Sequence, residues 1–175
     1  MRSQLGRWMT LGAVLALSAS AAVAQGPRVG SVAPEINYKT LEGSRVRLSE
    51  LRGYPVVVTF WGSWCPPCRE EFPALEAAQQ RYRKAGLKVL AVNQTSQENR
   101  EADVRRFLTD FPVSFPVLLD KVGSSNRTWR LISLPTTVFI DSGGVIRQIN
   151  WGPLPAGELD RGLAAILTPQ AVPPT

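Results

Sequence analysis

An α/β domain built around a parallel pair of strands is what this sequence predicts, and three features predict it. Pro55 to Trp61 is a continuous apolar, β-branched run, the pattern of a central strand buried on both faces. A helical stretch from Pro66 to Ala85 follows, then a second buried run from Leu87 to Val92, so the order strand, helix, strand implies a right-handed crossover. Further on, Thr136 to Ile140 and Val145 to Trp151 flank Gly143-Gly144, which reads as an antiparallel hairpin.

Taken in order, the chain opens with Arg2 and Arg7 before an apolar stretch and the small residues Ala22-Val23-Ala24, an export signal with an A-x-A cleavage pattern over 1–24. An uncleaved membrane anchor is the alternative, because Trp8 to Ala24 carries no formal charge and is at the short end of what spans a bilayer. The folded domain then covers 25–167. Ile36 to Thr40 and Arg45 to Leu48 flank the turn Leu41-Glu42-Gly43-Ser44, an N-terminal hairpin, and Ser49 to Leu51 fits one helical turn. In the helix from Pro66, the residues Phe72, Leu75, Ala78 and Tyr82 share a face, Pro73 predicts a kink, and Gly86 caps the end. Asn99 to Phe111 is a second helix with Val104, Phe107 and Leu108 inward, Val117 to Leu119 a short strand, and Val122 to Leu131 a short helix carrying Trp129. Glu158 to Leu167 is the last, amphipathic helix, and the proline-bearing tail 168–175 reads as disordered.

Composition limits the function classes. With 44% apolar residues and 19% charged, one domain can bury a proper core. Of the formal charge of +6, Arg2 and Arg7 supply two, and the remaining bases mix with acids, as in Arg100-Glu101-Ala102-Asp103-Val104-Arg105-Arg106. No basic stripe interleaved with aromatics points to nucleic acid, and no glycine-rich loop points to phosphate.

The only two cysteines stand in Trp64-Cys65-Pro66-Pro67-Cys68. A structural disulfide gains most from closing a long loop, and here the loop holds two residues. Cysteines at i and i+3 opening a helix lie about 5 Å apart at Cα, so the pair can close and open without refolding. Zinc wants four ligands, typically Cys and His, and this chain has no histidine and no third cysteine, so a structural zinc site within one chain is not expected, nor is any metal or cofactor.

A parallel strand, then Trp-Cys-x-x-Cys opening a proline-bearing helix, then a proline directly before an antiparallel hairpin, resembles the thioredoxin fold. The likeness runs from about Val29 to Leu167. The segments Phe60-Trp61-Gly62-Ser63-Trp64-Cys65-Pro66-Pro67-Cys68-Arg69-Glu70-Glu71-Phe72-Pro73 and Leu134-Pro135-Thr136-Thr137-Val138-Phe139-Ile140-Asp141 look like the exported TlpA/ResA branch of that fold. The resemblance implies a central mixed sheet flanked by helices, with an N-terminal hairpin and an insert helix. It also implies a periplasmic or otherwise extracytoplasmic protein, in the membrane only if the signal stays uncleaved, that reduces protein disulfides, often in cytochrome c or oxidase assembly. Its partners would be a disulfide-bearing protein substrate and a membrane thiol-disulfide electron donor.

Within that frame Cys65, at a helix N-terminus that favours negative charge, is the expected attacking thiolate, and Cys68 the resolver. Pro135 is expected as a cis proline facing the cysteines, with the Leu134 backbone free to pair with an extended partner and Trp64 lining the groove. Gly152 to Pro155 would form a third wall. Thr59 stands where thioredoxins place a buried aspartate, and the branch often carries a glutamate after the second strand, where this chain reads Asn93-Gln94-Thr95-Ser96. The proton of Cys68 must then go to Glu98, Glu70, Glu71 or water, although an ordinary exposed carboxylate is the plainer identity of all three. Pro66 and Pro67 have no N–H, so Cys68 alone could offer its amide to the Cys65 sulfur, which predicts a reductant. Two other readings compete: a copper-handling dithiol module, and a disulfide oxidase or isomerase.

Overall fold

The computed structural model describes residues 26–167, so the export signal expected over 1–24 and the disordered tail expected over 168–175 lie outside the described residues. Strands β1 (Asn37–Thr40), β2 (Arg45–Arg47), β3 (Val56–Trp61), β4 (Lys88–Asn93), β5 (Val117–Leu119), β6 (Thr136–Ile140) and β7 (Ile146–Trp151) join in one mixed sheet, in the order β2-β1-β5-β4-β3-β6-β7. Helices α1 (Pro66–Arg81), α2 (Glu101–Asp110), α3 (Ser124–Thr128) and α4 (Glu158–Leu167) flank it. β4 runs parallel to β3 and to β5, as a crossover through α1 requires, while β6 and β7 are antiparallel. The N-terminal hairpin of β1 and β2 extends the sheet through β5. Among the described residues no helix is long and apolar enough to cross a membrane.

Every residue of β3 is buried, and the two-residue period divides them between two cores. Val57 and Trp61 pack with Phe72, Leu75, Phe107 and Leu163, whereas Val56, Val58 and Phe60 pack with Ile36, Trp129 and Ile146. Each fully buried side chain of this size contributes about 1.5–3 kcal/mol. Trp61, Phe72 and Phe107 meet with ring centroids 4.5 to 4.8 Å apart. This aromatic triangle fastens the insert helix α2 to α1 and holds α1 against the end of β3, where the cysteine motif begins.

Some boundaries differ from the sequence expectation. α1 passes through Pro73 but stops at Arg81 rather than Ala85, because the chain tightens into a short turn over Arg83–Ala85 before Gly86 takes φ +83°. α3 is shorter than 122–131 and ends just before Trp129. The fully buried Asp120 carboxylate accepts the N–H groups of Ser124 and Ser125 at 3.1 and 2.8 Å, and so fixes the first turn of that helix. Arg130, at φ +49°, turns the chain away toward the loop 131–135.

Candidate active site

Cys65 is the N-cap of α1 and Pro66 and Pro67 occupy the first helical positions, where a missing N–H costs nothing. Cys65 and Cys68 form a disulfide with Cα atoms 5.4 Å apart, and both are buried, at 3% and 1% exposure. The Cys65 N–H donates to Gly62 O at 3.1 Å and the Cys68 N–H to Cys65 O at 3.2 Å. The sequence reserved that Cys68 amide for the sulfur. In the disulfide form the turn itself has taken it, because two prolines leave the Cys65 carbonyl no nearer donor. Stabilisation of a Cys65 thiolate then falls to the helix N-terminus.

Trp64 is half exposed, and its indole lies back over Gly62: a Cβ there would sit 2.8 Å from indole Cε2. Gly62 is thus what lets the ring fold onto the loop. Trp64 lines a groove of about 250 Å³ with Gln97, Asn126, Ile132, Ser133 and Leu134. The Leu134-Pro135 bond is cis, and Pro135 is buried at the end of the sheet that carries the motif, one residue before the Thr136 that pairs with Phe60. Gly152, at φ +86°, donates its N–H to Pro135 O at 2.8 Å. Gly152 is itself buried. Of the wall expected from Gly152 to Pro155, the residues Pro153, Leu154 and Pro155 line, with Pro67, Glu70 and Glu71, a second cavity of about 240 Å³.

The three carboxylates separate clearly. Glu70 is exposed, and Glu98 is committed to Ser63 and Asn93. Glu71 corrects the expectation of an ordinary exposed carboxylate: it is 8% exposed, one helical turn beyond Cys68. Its Oε1 accepts the Leu154 N–H at 2.7 Å and its Oε2 accepts the Thr137 hydroxyl at 3.3 Å, which itself lies 3.2 Å from the Thr59 hydroxyl. Burial pushes the Glu71 carboxyl above the ordinary carboxylate value, against the opposing pull of Leu154 and Thr137. Thr59 carries no charge, but it is linked to the Glu71 carboxyl of the helix through the Thr137 hydroxyl. The sequence signal was available: a glutamate three residues after Cys68 shares its helical face.

Comparison with known proteins gives a consistent picture. The AhpC/TSA family matches residues 29–149. The thioredoxin-like protein YneN of Bacillus subtilis is 40% identical over 138 residues, which cover 79% of this chain and 80% of that protein. The thiol-disulfide oxidoreductase ResA of Geobacillus kaustophilus is 35% identical over 138 residues, covering 79% and 78%. A crystal structure from Chlorobium tepidum, assigned as a thiol:disulfide interchange protein DsbE, superposes with a TM-score of 0.75 at 32% identity, over 82% of this chain and 100% of that one.

Proposed function

The chain belongs to the AhpC/TSA family and is a thiol-disulfide oxidoreductase, and from that premise we propose that it reduces protein disulfides outside the cytoplasm through Cys65 and Cys68. The observation that carries this reading is the lone cysteine pair closed at the N-terminus of α1. In the dithiol form the Cys65 thiolate attacks one sulfur of a partner disulfide, forming a mixed disulfide and releasing the partner's other sulfur as thiolate, which takes a proton. Cys68 then gives up its proton and attacks Cys65 Sγ. The partner leaves as a dithiol, and two electrons have moved to it from the pair, now a disulfide.

Glu71 is the proton acceptor in this scheme. A carboxyl held above its ordinary range by burial is better matched to a thiol than an exposed one, and the first two turns of α1 carry it together with Cys68. Trp64 and Leu134 bind the partner: Trp64 offers a half-exposed ring, and no partner holds the Leu134 backbone N–H and C=O among the described residues. Pro135 and Gly152 hold that segment in place through the hydrogen bond that the Gly152 N–H donates to Pro135 O. The leader over 1–24 supports export, with a membrane thiol-disulfide protein as electron donor and a client in cytochrome c or oxidase assembly.

Equilibration with glutathione tests the direction of electron flow. The expected potential is below roughly −220 mV, and a value near that of strong oxidants, about −120 mV, would promote the oxidase alternative instead.

A further inference from the structure

Glu98 follows the short turn Thr95–Gln97, and its carboxylate collects three hydrogen bonds. Oε1 accepts the Ser63 N–H at 2.7 Å and Asn93 Nδ2 at 2.8 Å, and Oε2 accepts the Ser63 hydroxyl at 2.5 Å. Asn93 ends β4 and is fully buried, and its Oδ1 accepts the Thr95 hydroxyl at 2.8 Å, so that side chain is itself fixed. Ser63 is 9% exposed, and its carbonyl accepts Arg69 Nη2 from α1 at 3.3 Å. The N–H, hydroxyl and carbonyl of Ser63 are therefore all engaged.

The neighbours of the two clamped residues give this arrangement its consequence. Trp64 follows Ser63 and directly precedes Cys65, Gln97 precedes Glu98, and Trp64 and Gln97 line one groove, whose remaining surface includes Ile132 and Leu134. The clamp joins two walls of that groove, from different parts of the fold, through hydrogen bonds made by the residues next to Trp64 and Gln97. Nothing in the proton transfers above requires Glu98.

We propose that Glu98 is a positioning residue that fixes the spacing of Trp64 and Gln97, and so selects polypeptide disulfides over small-molecule disulfides. The inference rests on the reading that the substrate is a protein. A polypeptide must lie along the groove to present its sulfur, whereas a small disulfide need only reach Cys65. Loss of the clamp leaves the Ser63 and Asn93 donors without their acceptor and lets the two walls move independently.

The test is single-turnover oxidation of the reduced full chain by insulin and by hydroxyethyl disulfide, read as the ratio of the two second-order rate constants. Glu98→Ala is expected to lower the preference for insulin about tenfold, through weaker saturation by insulin. Glu98→Gln keeps an oxygen for Ser63 N–H and Asn93 and can meet a Ser63 hydroxyl turned to accept, so the preference should return to within about twofold of wild type. Ser63→Ala loses one bond of three and should fall between them, and it carries the test should Glu98→Ala fail to fold. A preference that survives in Glu98→Ala and Ser63→Ala, an equal loss for both disulfides, or a Gln variant as deficient as Ala would overturn the proposal. A wild type with no preference for insulin would remove the protein-substrate reading and this proposal with it.

Discussion

Two carboxylates flank the cysteine motif, and they differ in what surrounds them. Glu98, on the Trp64 side, meets three donors at 2.5 to 2.8 Å, two of them from one residue of the loop before Cys65. Glu71, on the side of Pro153 and Leu154, is more deeply buried and meets one close donor at 2.7 Å and one long one at 3.3 Å. A carboxylate whose acceptor sites are filled by fixed donors acts as a strut, because moving it breaks several bonds at once. One that is buried with capacity to spare has its proton affinity raised and is suited to exchange a proton. Location beside a thiol does not decide between these roles. The donor count does.

The largest effect expected from any single change is at the resolver. Cys68→Ala should abolish turnover and accumulate a mixed disulfide between Cys65 and its client, seen as a mass increase that a reductant reverses. Such an adduct would also identify the client, and its absence would break the assignment of Cys65 as the attacking residue.

Glu71→Gln should have the next largest effect, with opposite signs for activity and stability. The resolving step should slow by about tenfold to a hundredfold, and its dependence on the ionisation of Glu71 should vanish from the pH profile. Burial raises the Glu71 carboxyl, so the native state holds that proton more tightly than the unfolded chain. The associated stability is fully present below the unfolded value and is lost as pH rises through the folded one. Wild type should therefore lose stability relative to Glu71→Gln from about pH 4.5 upward, measured by urea denaturation at successive pH values. Parallel curves would show that Glu71 is a strut as well.

Gly62→Ala sharpens the comparison from the other side. The added methyl meets the Trp64 ring at 2.8 Å, so the indole must shift away from the loop while the Glu98 bonds remain. Tryptophan emission in the oxidised form should change and insulin reduction should fall by about threefold to tenfold, with little loss of stability. The smallest expected effect is replacement of Pro66 and Pro67 by residues with an N–H, which should raise the potential by on the order of 30 mV by giving the thiolate new donors. No change would leave the helix terminus as the lever.

The architecture was largely legible. Runs such as Val56 to Trp61 and Leu87 to Val92 are buried on both faces, and burial of that kind leaves an unmistakable apolar record in a sequence. The site was legible only in part. Cys65 and Cys68 stand out by their spacing, and Pro135 by the resemblance to the thioredoxin fold, but the fate of a carboxylate depends on partners distant in the chain. Glu71 meets Leu154 and Thr137, and Glu98 meets Ser63, contacts that span 83, 66 and 35 positions. No local pattern records such meetings. The short helix over Ser124–Thr128 was overextended for a different reason: its start is fixed locally, by buried Asp120 four and five positions upstream.

The placement of Glu71 on α1 also bears on how such a site can be moved between proteins. The proposed nucleophile, resolver and proton acceptor all fall within the seven residues from Cys65 to Glu71, on the cap and first two turns of one helix. Where the acceptor instead comes from a strand, sheet and helix must stay in register for the chemistry to survive. Here the reacting groups travel as one cassette. A recipient fold would have to supply only a backbone amide in the place of Leu154 and hydroxyls in the places of Thr137 and Thr59.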